Sequence, residues 1–329
     1  MKTIRWGILG CGKIARKFAA DLALVSGSEL TAVASRDYAT AAAFAAEFPS
    51  KHILGSYEAL VSHPEVDVIY IATPHGFHHE HAILCMKHGK HVLCEKAFAL
   101  NTRQVKEMIE VAKEEKVFLM EALWSKFLPH YKKLMEFIRE GKLGELKNVL
   151  INFGFATPVP TPARMYDPKL GGGSLLDIGI YNIFFAMSVL GKPDTIEASM
   201  TAASTGVDEQ CSMVFKYKKG AIAQLLSSFS TNLATEADIS GTQGRIRLKT
   251  RFYEPSTTFA YYPGRVDSET IIPIEKSIGW GYSYEIAHVN DCLRAGLVES
   301  PVMTWKDSVE LMEVMDEVRR KAGIVYEVD

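Results

Sequence analysis

Along residues 1–122, short apolar runs alternate with stretches in which apolar positions recur every three or four residues. The runs at 4–9, 30–34, 66–72, 91–94 and 117–120 are near-continuous, the pattern of strands buried on both faces. Between them, 13–24, 39–47, 78–88 and 102–115 carry helical spacing, and a shorter helix starts at 56–60. Strand alternating with helix predicts an α/β domain: a doubly wound parallel sheet covered on both sides and ending near Ala122.

The remainder, 123–329, has a different rhythm. An amphipathic helix at 129–140 stops at Gly141-Lys142-Leu143-Gly144, and a strand follows at 147–155. A proline-rich loop, 158–168, leads into Gly171-Gly172-Gly173 and an apolar helix at 174–190. Strand character then recurs at 195–203, 209–217, 221–230, 237–241, 244–249 and 257–262, with hairpin-like turns at Lys218-Lys219-Gly220 and Thr242-Gln243-Gly244. Helices near 284–295 and 306–322 close the chain. This predicts an α+β domain, 123–329, on a mainly antiparallel open sheet whose uncovered face calls for self-association, as a homo-oligomer, a dimer.

At 329 residues the chain is long enough for two domains. Charge changes the picture little: 37 Lys plus Arg against 39 Asp plus Glu argue against nucleic acid or an anionic membrane as partner. No secretory signal opens the chain, and no apolar run reads as long enough to span a bilayer. The cysteines Cys11, Cys85, Cys94, Cys211 and Cys292 are odd in number and form no tight motif, as for reduced thiols in a cytoplasmic protein.

The first strand runs into Gly10-x-Gly12-x-x-Ala15 and then a helix, with a second strand about 20 residues on. Gly10 permits the tight turn, Gly12 the approach of backbone to a pyrophosphate, and Ala15 close helix–strand packing. The amides of the helix start, at Lys13 and Ile14, add donors and positive dipole. This is a dinucleotide site. At the end of the second strand stand Ser35 and Arg36, suited to a 2′-phosphate, with Asp37 one step later placed to cap the next helix. The cofactor expected is NADP, with NAD as the other possibility.

Three further segments complete the set. Thr73-Pro74-His75-Gly76-Phe77-His78 and Glu95-Lys96 sit at carboxyl ends of strands, where open α/β sheets bind ligands. The third, Gly171 to Tyr181, opens a helix in the second domain. The expected cofactor contacts are Gly10, Gly12, Lys13, Ile14, Ser35, Arg36, Thr73, Pro74, His75, His78, Glu95, Lys96 and Trp124. The histidines around 75–91 lack metal-ligand spacing, and no metal is expected.

With these motifs in order, the whole chain resembles the glucose–fructose oxidoreductase / inositol dehydrogenase (Gfo/Idh/MocA) family of two-domain Rossmann enzymes. The branch it is most similar to is that of dimeric dihydrodiol and NADP-linked D-xylose dehydrogenases, through Glu121-Ala122-Leu123-Trp124-Ser125-Lys126-Phe127 and Tyr181. The resemblance implies an active-site Lys96 with Asp177 and Tyr181 as partners; Ala97 stands where the family usually has proline. An ammonium ~4 Å from a phenol is worth about 4 kcal/mol at an effective dielectric of ~20. At ~1.4 kcal/mol per unit, this would bring a tyrosine from ~10 to near neutrality, making it a usable acid/base. Asp177 would orient one of the pair or accept a substrate hydroxyl.

The expected activity is hydride transfer between NADP and a secondary alcohol or carbonyl of a small polyol, sugar or cyclic trans-diol. Two other readings stay open from the residues alone. One is a non-catalytic nucleotide-binding sensor; the other is a redox-neutral NAD-dependent glycosidase of the same fold.

Overall fold

The structure, a computed structural model, describes residues 2–157, 164–264 and 268–329. Part of the proline-rich loop, 158–163, lies outside the described residues. The chain separates into two compact units: 1–124 with 277–309, and 125–276 with 310–329.

The first unit is built on six parallel strands: β1 (Ile4–Leu9), β2 (Ser28–Ala34), β3 (His52–Leu54), β4 (Val68–Ile71), β5 (His91–Glu95) and β6 (Leu119–Ala122). Their order across the sheet is β3-β2-β1-β4-β5-β6. Helices α1 (Lys13–Leu22), α2 (Tyr38–Glu47), α3 (Tyr57–Val61), α4 (His78–Lys87) and α5 (Thr102–Glu115) connect them. All four residues of β4 are buried, as its unbroken apolar run requires. The order reverses direction at β1 and β4, so the loops after those two strands flank the switch point at which such sheets bind nucleotides.

The second unit carries α6 (Pro129–Arg139), β7 (Leu146–Gly154), α7 (Ile180–Leu190), β8 (Thr195–Ala202), β9 (Asp208–Lys216) and β10 (Ile222–Ser228), then β11 (Ala237–Gly241), β12 (Gly244–Lys249), β13 (Thr258–Pro263) and β14 (Thr270–Ile271). The eight strands form one sheet, β14-β13-β12-β11-β7-β10-β9-β8, antiparallel except where β10 lies parallel to β7. Alternation along β9 and β10 puts Cys211, Met213, Phe215, Ala223 and Leu225 inside. The last helices are α8 (Ser283–Arg294) and α9 (Trp305–Ala322).

This division differs from the expected 1–122 and 123–329 in one respect: residues 277–309 pack with the first unit. The reason is hydrogen bonding. Asp21 on α1, wholly buried, accepts from the amides of Trp280 (2.7 Å), Tyr282 (2.7 Å) and Ser283 (3.1 Å) at the start of α8. Trp6 Nε1 donates to Asn290 Oδ1 at 3.1 Å, and Asn290 Nδ2 to Ser28 Oγ at 2.7 Å. Leu119 N donates to Val298 O and Leu119 O accepts from Trp305 Nε1, so the segment lies along the outer edge of β6. An open parallel edge is thereby covered.

The expectation that no apolar run matches a membrane span needs correcting as well. Residues 168–190 are long and apolar enough by composition. Most of that stretch is buried in the second unit, so its apolarity belongs to a core helix. All five cysteines are buried and unpaired by disulfides, and burial pushes the Cys11 and Cys292 thiols up to about 11.

Candidate active site

In the first unit, the turn between β1 and α1 has the two glycines in different roles. Gly10 has φ +97°, and a Cβ there would sit 3.1 Å from Ala72 O and Thr73 Cγ2. Gly12 is the N-cap of α1, which has no side-chain cap and no acid in its first turn. A Cβ on Gly12 would meet nothing within 4 Å. The first-turn amides, at Lys13 and Ile14, thus lie beside open space, a cradle that fits the pyrophosphate of a dinucleotide.

At the end of β2, Asp37 caps α2. Its carboxylate accepts from Ala39 N, Thr40 N and Thr40 Oγ1 at 3.2, 3.1 and 2.7 Å, and the threonine hydroxyl above all holds its pKa below the ordinary value. Ser35 Oγ accepts from Asp37 N at 3.5 Å. The Arg36 guanidinium lies over the Phe77 ring at 5.8 Å and beside the Tyr57 phenol. With Thr73, Pro74 and His81 these residues line a pocket of 380 Å³. His81 and Tyr57 were missed in the sequence. His81 bonds Thr73 Oγ1 through Nδ1 at 3.0 Å, stacks on Phe77, and is kept below its usual pKa by burial. Its place on the buried face of α4 was the only signal available.

His75 and His78 are both buried. His78 Nδ1 lies 2.7 Å from Ala97 O and Nε2 2.7 Å from Thr73 O. Both ring nitrogens are therefore engaged on backbone carbonyls, and the side chain braces the loops after β4 and β5.

Glu95 ends β5. Its Oε1 accepts from the Tyr70 phenol, and its Oε2 from the Lys96 amide at 3.2 Å. The Lys96–Ala97 peptide bond is cis. Near Glu95 lies Glu285 of α8, wholly buried, with Glu95 and Asp21 as charged neighbours. Desolvation first, then those charges, push its carboxyl far above the usual carboxylate range. Trp124 is buried and stacks on Tyr282, centroids 4.6 Å apart and planes within 5°.

In the second unit, the three glycines are followed by one π turn, Leu175–Gly179, before α7 begins. Asp177 sits in that turn, nearly buried, and pairs with Arg164 Nη2 at 2.8 Å. Tyr181, 5% exposed, opens α7 against Tyr253 (4.9 Å between centroids) and Phe153 (6.0 Å). Asp177 also lies in the field of Tyr253, whose phenol burial pushes above its ordinary pKa. The turn thus presents a carboxylate and a phenol from adjacent helical positions. Among the described residues, no group of three or more His, Cys, Asp or Glu is placed to hold a metal ion.

Comparison with known proteins agrees with this architecture. Residues 4–123 match the model described as "Oxidoreductase family, NAD-binding Rossmann fold", and 131–247 match the GFO/IDH/MocA C-terminal domain. Trans-1,2-dihydrobenzene-1,2-diol dehydrogenase of Xenopus laevis is 36% identical, covering 98% of this chain and 99% of its own. The Mus musculus protein of that name is also 36% identical, covering 99% of each. Among solved structures, a 3-ketoreductase from Actinomadura kijaniata in complex with NADP and TDP-benzene superposes with a TM-score of 0.88 at 26% identity, covering 98% of both chains. An aldose-aldose oxidoreductase from Caulobacter crescentus shares the fold, with a TM-score of 0.89 at 23% identity and 98% coverage of both. Matches to both domain models and full-length likeness to dehydrogenases make this chain a member of the GFO/IDH/MocA oxidoreductase family.

Proposed function

We propose that this oxidoreductase uses NADP to interconvert a secondary alcohol and a ketone on a small hydroxylated ring, a cyclic trans-diol, sugar or polyol. The observation that carries the cofactor choice is the division of labour after β2. The Asp37 carboxylate is occupied by three donors of its own helix, while Arg36 lines the adjacent pocket. An NAD site would present an acid to the ribose 2′-OH; a guanidinium lining the pocket instead suits a 2′-phosphate. The names of the dihydrodiol dehydrogenases support the substrate class.

In this reading the bound nicotinamide supplies the carbon that accepts or returns hydride. Gly10, Gly12 and the α1 amides hold the pyrophosphate; Ser35 and Arg36 hold the 2′-phosphate; Thr73, Pro74, His75 and Trp124 line the remainder. Glu95 fixes the Lys96 backbone through its amide. Tyr181 takes the proton from the substrate hydroxyl, and the Lys96 ammonium steadies a developing alkoxide. Asp177, held by Arg164, orients a second substrate hydroxyl. A homodimer formed through the outer face of the eight-stranded sheet, where Leu150 and Ile222 are exposed, completes the reading; sedimentation of the intact chain separates it from a monomer.

Cofactor reduction measured with NADP and NAD across aldoses, inositols and trans-dihydrodiols tests the substrate class, and Lys96→Ala tests the mechanism. The variant is expected to lose at least ~100-fold in turnover while binding NADPH nearly as before. Unchanged turnover would remove Lys96 from the chemistry.

A further inference from the structure

We propose that Asp208 and Tyr326 are positioning residues: buried beneath the turn 171–181, they fix its backbone, and through it the orientation of Asp177 and Tyr181. The inference rests on the reading that those two residues serve the reaction. Asp208, the first residue of β9, is fully buried, and its Oδ2 accepts from Ser174 Oγ at 2.8 Å and Leu175 N at 2.7 Å. Ser174 Oγ lies a further 2.9 Å from Ser227 Oγ on β10. A carboxylate on first-turn amides both caps the helical segment and complements its dipole. From the other end of the sequence, the Tyr326 phenol donates to Gly172 O at 2.6 Å.

Tyr326 is itself locked. The Arg319 guanidinium covers its ring at 4.6 Å and pairs with Asp329, whose carboxylate also accepts from Tyr326 N at 2.8 Å. Gly173 lies between the two held points, Gly172 and Ser174–Leu175. Its φ is +115°, and a Cβ on it would fall 2.2 Å from Asp208 Oδ1. Asp177 follows within one turn, its amide on Gly173 O at 3.3 Å. Any shift of the two anchors is therefore passed to Asp177 through a few peptide planes.

The groups facing Asp208 are the Ser174 and Ser227 hydroxyls, the Tyr326 phenol and the Cys211 thiol; Arg319 and Asp329 act on Tyr326 from beyond. Burial pushes the Asp208 carboxyl up to about 6 against the hydrogen bonds it receives. The anchor thus carries its charge above that pH and loses it below. A raised folded-state value means that stability is fully present below the unfolded pKa and lost as pH rises through about 6. Replacing the charge by an amide should then cost no stability at pH 7.5.

The test compares Asp208→Asn, Tyr326→Phe and Tyr181→Phe with the parent enzyme, reading kcat, KM and NADPH binding between about pH 5 and 9, together with thermal unfolding. Asp208→Asn and Tyr326→Phe are each expected to lower kcat about tenfold with NADPH binding unchanged. Asp208→Asn should also abolish the fall of kcat near pH 6 while unfolding no earlier than the parent. Less activity at undiminished stability is what a purely architectural role does not give. Should Asp208→Asn fail to accumulate, Tyr326→Phe, which removes one hydroxyl, decides alone. The inference is overturned if the folded variants keep kcat within about twofold of the parent while Tyr181→Phe loses ~100-fold. If Tyr181→Phe itself turns over normally, the catalytic reading is what fails, and the positioning role falls with it.

Discussion

The two glycine turns of this protein use the same residue for opposite ends. At Gly12 the missing side chain leaves space beside the start of α1, and nothing among the described residues lies within 4 Å of where its Cβ would be. At Gly172 and Gly173 the space is already taken. A Cβ would sit 2.7 Å from Met165 O in the first case and 2.2 Å from Asp208 Oδ1 in the second. One turn is kept clear for a ligand; the other is filled by its own fold. The first helix start has no acid in its first turn, whereas the second has the Asp208 carboxylate on its Leu175 amide. A glycine motif therefore says little by itself about whether it binds or packs; what occupies the missing side chain's place decides.

The difference can be broken from either side. The largest effect is expected for Gly173→Ala, because positive φ and the buried carboxylate both oppose a methyl group. It should lose more than about 3 kcal/mol in urea unfolding and most of its activity with it. A stable, active Gly173→Ala protein would show that the turn is not filled. Gly12→Val should do the reverse. Gly12 has φ −82° and ψ −171°, which any residue adopts, so stability should stay within about 0.5 kcal/mol of the parent. NADPH binding, followed by fluorescence titration, should weaken at least ~30-fold, about 2 kcal/mol. Arg36→Ser sharpens the picture further along the same groove. It should raise the KM for NADP about tenfold and leave that for NAD nearly unchanged; equal effects on both would make Arg36 a general contact.

Much of the first unit was legible because its signals are local. Continuous apolar strands, a glycine turn and the Asp37 cap each lie within about a dozen residues of what they specify. The strands of the second unit were legible for the same reason, through alternation and hairpin turns. What escaped reading depends on backbone groups met across long separations. Asp21 is bound by amides some 260 positions later, and amides carry no sequence signature. Its role, and with it the placement of 277–309, had no trace in the pattern. His78 showed as a polar residue near a strand end, which suits a ligand contact; only the two carbonyls around it reveal a brace. The pocket beside Arg36 gains Tyr57 and His81 from two helices whose facing sides no spacing rule relates. Asp208 and Tyr326 are 118 positions apart, and neither belongs to a motif.

The place of residues 277–309 also bears on how the molecule is made. A nascent chain emerges from its N-terminus, and domains tend to form in that order. Here the first unit cannot finish on schedule: the buried Asp21 carboxylate lacks its donors, and Trp6 its Asn290 partner, until residues 280–290 have left the ribosome. The second unit's strands are translated inside that interval. The strands of the second unit thus emerge while its host still waits for residues 277–309, and residues 310–329 complete the second unit afterwards.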